Sequence, residues 1–165
     1  IGMGNIGQAV ARRAHYGFGM EVLYHNRSAK QVDFPGQQVA DLHEMLGQVD
    51  VAVVAVPASP ATRHLIDAAA LAAMQPHARL VNIARGDIVD ETALIAALQE
   101  GRLGGAGLDV YEHEPEVPQA LRAMPNVSLL PHLGTSALEV REAMGAVALD
   151  NVGAHLAGRD LPNAV

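Results

Sequence analysis

The sequence predicts an α/β fold, a doubly wound parallel sheet with helices on both faces. Three observations carry that expectation. Strand-like and helix-like segments alternate along the chain, the order that builds parallel strands joined by crossovers. Residues 50–56, Asp-Val-Ala-Val-Val-Ala-Val, form a continuous β-branched run of the kind found in strands buried on both faces. The chain also opens on Gly2-Met3-Gly4-Asn5-Ile6-Gly7, a Gly-x-Gly-x-x-Gly turn set where a strand hands over to a helix.

The glycine turn comes first. Gly2 permits the sharp turn, Gly4 removes the side chain that would hold a pyrophosphate off the backbone, and Gly7 lets helix and strand pack closely. The helix that starts there, through Asn5 and Ile6, aims free N–H groups and the positive end of its dipole at phosphate. Residues 8–14 are good helix formers, and Gly17 is expected to stop them. Residues 20–25 read as a strand, completing the strand–helix–strand order of a Rossmann sheet. Only Ile1 precedes Gly2, so the expectation is a first strand cut short, in a chain that is a piece of a longer protein.

The next elements follow from the same signals. Residues 41–47 read as a short helix, and the run 50–56 as a strand ended by Pro57. Residues 68–75 are helical up to Pro76, and 79–84 form the next strand. Asp90 caps a helix through residue 100, with Gly101 at the position after its end. The strand at 103–110 contains Gly104, Gly105 and Gly107, which points to a backbone or a ligand at close range. Residues 126–130 form a last short strand. Ser136 and Glu139 have the spacing of a capping box and open a helix of about 20 residues, roughly 30 Å long, running to Gly158. That is longer than a crossover needs to cover a sheet. The dinucleotide-binding domain is therefore expected over 1–134, with 135–165 a long helix and polar tail leading toward a substrate domain outside this chain.

Composition narrows the function classes. A chain of 165 residues is one domain's worth, and 50% hydrophobic with 3% aromatic residues is a globular α/β balance. The net charge of −7, with 11 Lys and Arg against 18 Asp and Glu and no basic run, argues against nucleic acid or an anionic membrane as partner. With no cysteine, disulfide and thiolate chemistry is excluded, and a cytoplasmic setting is expected. The longest apolar run, 51–58, is far short of a membrane span. No metal site is expected.

In an open doubly wound sheet, ligands bind off the carboxyl ends of the strands. Four stretches fall there: the glycine turn, Pro57 with the loop after it, Ala84-Arg85-Gly86, and Pro131-His132. NAD-selective sheets place an acid about 20 residues beyond the glycines, where it takes the ribose hydroxyls. Here that point reads His25-Asn26-Arg27-Ser28. Arg27 can pair with a 2′-phosphate and Ser28 can donate to it, whereas a carboxylate would repel it. NADP(H) is therefore favoured, and NAD(H) also fits because nothing repels it.

The most informative block is Leu-Val-Asn-Ile-Ala-Arg-Gly at 80–86, the helix after it, and Gly-Leu-Asp-Val-Tyr-Glu-His-Glu-Pro at 107–115. Together with Pro131-His132-Leu133-Gly134-Thr135, it closely resembles the D-isomer-specific 2-hydroxyacid dehydrogenases, above all the glyoxylate/hydroxypyruvate reductase and phosphoglycerate dehydrogenase group. The likeness runs over nearly the whole chain, with the motifs in the right order. It implies that Arg85 is the substrate arginine, His132 the general acid/base, and Glu114 the carboxylate that orients the histidine. It implies that Asp109 holds the nicotinamide carboxamide. It also places Val56, Pro57, Thr62, Ile83, Ala84, Asn26 and Gly134 beside the cofactor. Spacing alone does not choose Glu114 among the acids between Asp109 and Glu116; the resemblance prefers it to Glu112. Two departures are mild: Asn5 stands where the family often carries arginine, and Ser59 where a threonine is frequent.

The chemistry these residues suit is reduction of a 2-oxo acid. A guanidinium at Arg85 can grip a carboxylate or carbonyl oxygen in fixed geometry. An imidazolium at His132 can deliver the proton, and a nearby carboxylate favours that charged form. The expected substrate is a small 2-oxo or 2-hydroxy acid such as glyoxylate or hydroxypyruvate. The full-length protein is expected to be a homodimer, as the resemblance implies, and the fragment alone inactive. The competing expectation is a binding module, because relatives that act as cofactor-sensing corepressors keep the same three residues.

Overall fold

The computed structural model describes residues 1–164. It divides into two compact units, Ile1–Pro131 and His132–Val165. The first is α/β. Helix α1 (Asn5–Phe18) is followed by β1 (Leu23–Tyr24), β2 (Gln37–Gln38), α2 (Leu42–Leu46), β3 (Val51–Val54), α3 (Ala68–Ala73) and β4 (Arg79–Asn82). A 3₁₀ turn (Gly86–Ile88), α4 (Glu91–Gln99), β5 (Gly105–Leu108), α5 (Gln119–Arg122) and β6 (Val127–Leu129) complete it.

Strands β3–β4–β5–β6 form one parallel sheet in that order, with Val51, Arg79 and Gly105 in register. Strands β1 and β2 pair separately, also in parallel. Each helix between the long strands is a crossover that turns its apolar side to the sheet. Leu71 of α3, Leu94 of α4, Leu80 of β4, Val54 of β3 and Leu121 of α5 all lie in one buried cluster. Aspartates start the covering helices. Asp41 accepts from the Glu44 N–H, Asp67 from Ala70 and Asp90 from Ala93, at 2.8–3.0 Å. Each such cap is worth about 1 kcal/mol.

Between the two sheets lies a cleft of about 650 Å³, lined by Ile1, Met3, Ala11, Tyr24, Val51 and Val53 among others. Ile1 and Gly2 together bridge it at the glycine turn. The Ile1 amino group donates to Val53 O at 2.8 Å, the Ile1 carbonyl accepts from Ala55 N at 2.8 Å, and Gly2 N reaches His25 O at 2.9 Å. The Ile1 bonds run to the β3 side and the Gly2 bond to the β1 side. The cleft also explains why β3 departs from the expected burial on both faces: Val51 beside it is 40% exposed. A second, smaller cluster of Met3, Ala11, Tyr24 and Phe34 closes the far side of the cleft.

Several boundaries differ from the sequence expectation, each for a local reason. Helix α1 runs past Gly17, because the left-handed closing conformation falls on Gly19 (φ 67°), whose N–H caps His15 O. Strand β1 keeps only two of the expected residues, since it has a ladder partner on one side alone. The glycines of β5 make room for protein: a Cβ at Gly105 would stand 2.5 Å from Asn126 O and 2.9 Å from Arg79 Cδ.

In the second unit, α6 (Leu138–Leu156) runs for 19 residues, or about 28 Å. Ser136 does not cap it. The N-cap is Ala137, with no side-chain bond, so Glu139 lies one position too early for a capping box. Leu138, Leu149 and Leu156 are exposed along the helix. Among the described residues no helix is long and apolar enough to cross a membrane.

Burial lowers the pKa of the Ile1 amino group from 8.0 to about 6. A cation disfavoured in the folded state costs stability wherever it must be protonated. The penalty is thus full below about pH 6 and gone above pH 8. For the 165-residue chain, the Nα-acetylated form is expected to outdo the free amine at pH 6 by on the order of 2 kcal/mol in urea unfolding, and to match it at pH 8.5. Equal stability of the two forms at both pH values would contradict this.

Candidate active site

The site is built on the loops that leave the carboxyl ends of the strands. At the glycine turn, Gly2 has φ 89°, and a Cβ there would stand 2.7 Å from Val56 Cγ1 and 2.8 Å from Ala55 O. A Cβ at Gly7 would collide with Gly2 O. These two glycines are required by the protein's own packing. Gly4 is different, since a Cβ there meets nothing within 4 Å. Gly4 is also the N-cap of α1, with no side-chain cap and no acid in the first turn. The first N–H groups of α1, at exposed Asn5 and Ile6, therefore face open space with the positive helix end behind them. This arrangement fits the pyrophosphate of a dinucleotide.

Asn26 fixes the turn to the end of β1. Its Oδ1 accepts from Met3 N at 3.0 Å, and its Nδ2 donates to Ser28 O at 2.7 Å. Arg27 and Ser28 follow it, both exposed, with no acid at the sequence position where a ribose-binding carboxylate would stand. The Val56-Pro57 loop leaves β3 next to Gly2. Thr62 staples that loop to itself: its hydroxyl accepts from Ser59 N at 2.8 Å and donates to Pro57 O at 2.9 Å.

Arg85 owes its place to Asn82, a residue the sequence reading passed over. Asn82 ends β4 with its side chain 1% exposed. Its Oδ1 accepts from Ala84 N at 3.0 Å, and its Nδ2 donates to Arg85 O at 2.9 Å. One amide thus satisfies both backbone groups as the chain leaves the sheet through Ile83 and Ala84. The Arg85 guanidinium stays exposed, with Nη1 donating to Ala84 O at 2.6 Å. The signal for Asn82 was legible: an amide at the end of an otherwise apolar strand needs buried partners.

Asp109 leaves β5 beside β4, its N–H on Asn82 O at 3.1 Å. Two residues on, Tyr111 anchors the loop that holds Glu114. Its hydroxyl donates to Leu130 O at 2.8 Å, and its N–H donates to Glu114 Oε1 at 3.0 Å. Burial pushes the Tyr111 phenol upward, with the charges of Asp109, Glu114 and Glu91 adding to the effect. Gly86 seats the Arg85 segment directly on this loop, since a Cβ there would overlap the Tyr111 carbonyl. Arg85, Asp109 and Glu114 are thereby held on adjoining loops of one sheet edge. His132 opens the second unit. It is exposed, followed by exposed Leu133 and Gly134, and its φ of 56° is left-handed, rare for a residue with a Cβ.

The comparisons agree with this architecture. Residues 1–134 match the family described as D-isomer specific 2-hydroxyacid dehydrogenase, NAD binding domain. The chain is 44% identical to a hydroxyphenylpyruvate reductase of Plectranthus scutellarioides over 98% of its own length and 51% of the relative's. It is 44% identical to a glyoxylate/hydroxypyruvate reductase B of Enterobacter agglomerans over 100% of its length and 52% of the relative's. A solved NADPH-dependent glyoxylate/hydroxypyruvate reductase of Sinorhizobium meliloti, in complex with NADP and malonate, superposes with TM-score 0.95. That match has 40% identity and covers 100% of this chain and 51% of that one. The chain spans about half the length of the relatives it matches.

Replacing Asn82 by Ala leaves the Ala84 N–H buried without its partner and the Arg85 carbonyl with only the long bond from Ile88 N at 3.3 Å. The expected cost is about 2–3 kcal/mol, read as a lower urea midpoint at unchanged slope. A loss under about 0.5 kcal/mol would mean that water replaces the amide.

Proposed function

The chain belongs to the D-isomer-specific 2-hydroxyacid dehydrogenases, and from that premise we propose that it is the cofactor-binding part of an oxidoreductase. The reaction is hydride transfer between NADP(H) and a small 2-oxo or 2-hydroxy acid such as glyoxylate or hydroxypyruvate. One observation carries this reading above the others. Asn82 and Gly86 fix the backbone of the Arg85 segment against the loop that carries Glu114, on the sheet edge that also bears the open phosphate cradle at Gly4.

NADP(H), when bound, supplies the hydride. The protein's own residues do the rest. The α1 N-terminus and the Gly2–Gly7 turn hold the pyrophosphate, and Arg27 with Ser28 takes the 2′-phosphate. NAD(H) fits the same cradle with less grip at Arg27. Asp109 accepts from the carboxamide and orients the ring. Arg85 binds the substrate carboxylate or carbonyl oxygen and stabilises charge as it develops there. His132 gives the proton to that oxygen in reduction and takes it back in oxidation, and Glu114 orients its imidazole. The match of residues 1–134 to the family supports these roles.

The wider reading is that the full-length protein is a cytoplasmic homodimer engaging neither nucleic acid nor membrane. The net charge of −7 over these 165 residues supports the last two points. Substrate-side contacts then come from a second domain, so the 165 residues alone bind cofactor with negligible turnover.

Two experiments test this. In calorimetric titration the chain is expected to bind NADPH at least tenfold tighter than NADH, and Arg27→Asp to abolish that preference, a change of about 1.4 kcal/mol or more. Equal binding of both cofactors before and after the change would overturn the assignment of Arg27. In the chain joined to its substrate domain, His132→Ala is expected to lower kcat for glyoxylate by about 10²–10⁴ with little change in NADPH affinity. Retention of kcat within threefold would exclude His132 as the proton donor.

A further inference from the structure

Three loops meet at the carboxyl edge: 55–66 after β3, 83–90 after β4, and 109–118 after β5. Backbone bonds join the first to the second. His64 N donates to Asp87 O at 2.8 Å, Ile66 N to Ile88 O at 3.0 Å, and Asp90 N to Ile66 O at 3.0 Å. The second and third meet where Gly86 lies on the Tyr111 carbonyl. The first and third are joined by side chains. His64 Nε2 donates to Glu112 Oε1 at 3.0 Å, and Arg63 Nη2 reaches the same oxygen at 3.3 Å.

We propose that His64 is a positioning residue for the hydride-transfer site: through Glu112 its imidazole locks the loop that carries Glu114 against the segment that carries Arg85. The inference rests on the functional reading above, and adds a residue that touches neither substrate nor cofactor.

Several features single out His64 rather than its neighbours. Its side chain is 29% exposed and that of Glu112 16%, whereas Arg63 is 58% exposed and largely solvated. The other imidazole nitrogen stands 4.0 Å from Asp90, so the ring lies between two acids from two different loops. His64 also has φ 49°, a conformation that residues with a Cβ seldom take. Its N–H and ring are both fixed in that conformation, one on Asp87 O and the other on Glu112. Behind the pair, Glu112 N faces Glu91 Oε2 at 3.5 Å. Burial raises the Glu91 carboxyl, the Glu112 N–H opposes the rise, and the Glu112 charge adds to it. Without His64 and Arg63, the Glu112 carboxylate loses both of its side-chain donors. Tyr111 and Glu114 lie one and two residues from Glu112, so a shift of Glu112 moves the carboxylate that Tyr111 N holds.

The test compares His64→Leu, His64→Gln and Glu112→Gln. The Gln side chain at position 64 keeps an N–H donor for Glu112, and the Leu side chain does not. In the chain joined to its substrate domain, His64→Leu and Glu112→Gln are expected to lower kcat for glyoxylate at least tenfold. KM for NADPH should stay within twofold, and His64→Gln should recover most of the loss. In the 165-residue chain, amide exchange at Tyr111 is expected to quicken at least tenfold in His64→Leu, with amides of α3 and β4 unchanged. The proposal is overturned if Tyr111 exchange does not move, or if His64→Gln is as impaired as His64→Leu. Absence of NADPH-dependent reduction by the unaltered two-domain protein, with the Tyr111 effect present, would overturn the functional reading while leaving the lock between the loops established.

Discussion

A parallel sheet leaves its strands at one edge with backbone groups that no ladder can satisfy, and in this protein the buried amide of Asn82 resolves that problem at the centre of the edge. Strand β4 lies between β3 and β5, so the chain leaving it has protein on both sides and little water. An apolar residue at position 82 would pack well, leave the Ala84 N–H without a partner and leave the Arg85 carbonyl only the long bond from Ile88 N. The amide answers both, and in doing so fixes the direction in which Arg85 emerges. The same residue's carbonyl accepts from Asp109 N and ties the next loop into the arrangement. The side chains assigned to chemistry are exposed, and their precision comes from buried neighbours that do no chemistry.

Much of this was legible in the sequence because the signals were local. The turn at Gly2 and Gly7, the Asp90 cap and Gly101 beyond it are each decided within a few residues, and the structure has them. The alternation that gave the parallel sheet is similarly robust, since it depends on many residues at once. The expectation of a capping box at Ser136 failed because a shift of one residue at a helix start destroys it. The strand over 20–25 shrank to β1, because propensity does not tell whether a partner lies on each side. Gln37 and Gln38 pair with β1 without any apolar pattern to announce them. Thr62 reads as a ligand contact by its place in the motif, yet its hydroxyl staples its own loop. The loop-to-loop links, His64 with Glu112 and Tyr111 with Leu130, join residues separated by 48 and 19 positions, which no spacing rule reaches.

The charge distribution follows the same division between local and global. The chain carries −7 overall, yet the cradle at Gly4 is formed by N–H groups and a helix end, with no acid in the first turn. Surface acids separated from it by more than a Debye length of about 8 Å are screened at physiological salt. An acidic protein can therefore hold an anionic nucleotide without a basic surface.

The bridge at Ile1 has a consequence for how the first unit responds to occupancy. The half made of α1, β1 and β2 has its own small core, and the four-stranded half has the large one. At the glycine turn they are joined by three backbone bonds around Ile1 and Gly2. Arg27 lies on one bank of that junction and Arg85 on the other. In the function proposed above, a nucleotide reaching from one to the other would act as a splint. It would tie the two banks together, and mass action would then make the stability of the first unit depend on how much of the protein is charged with cofactor.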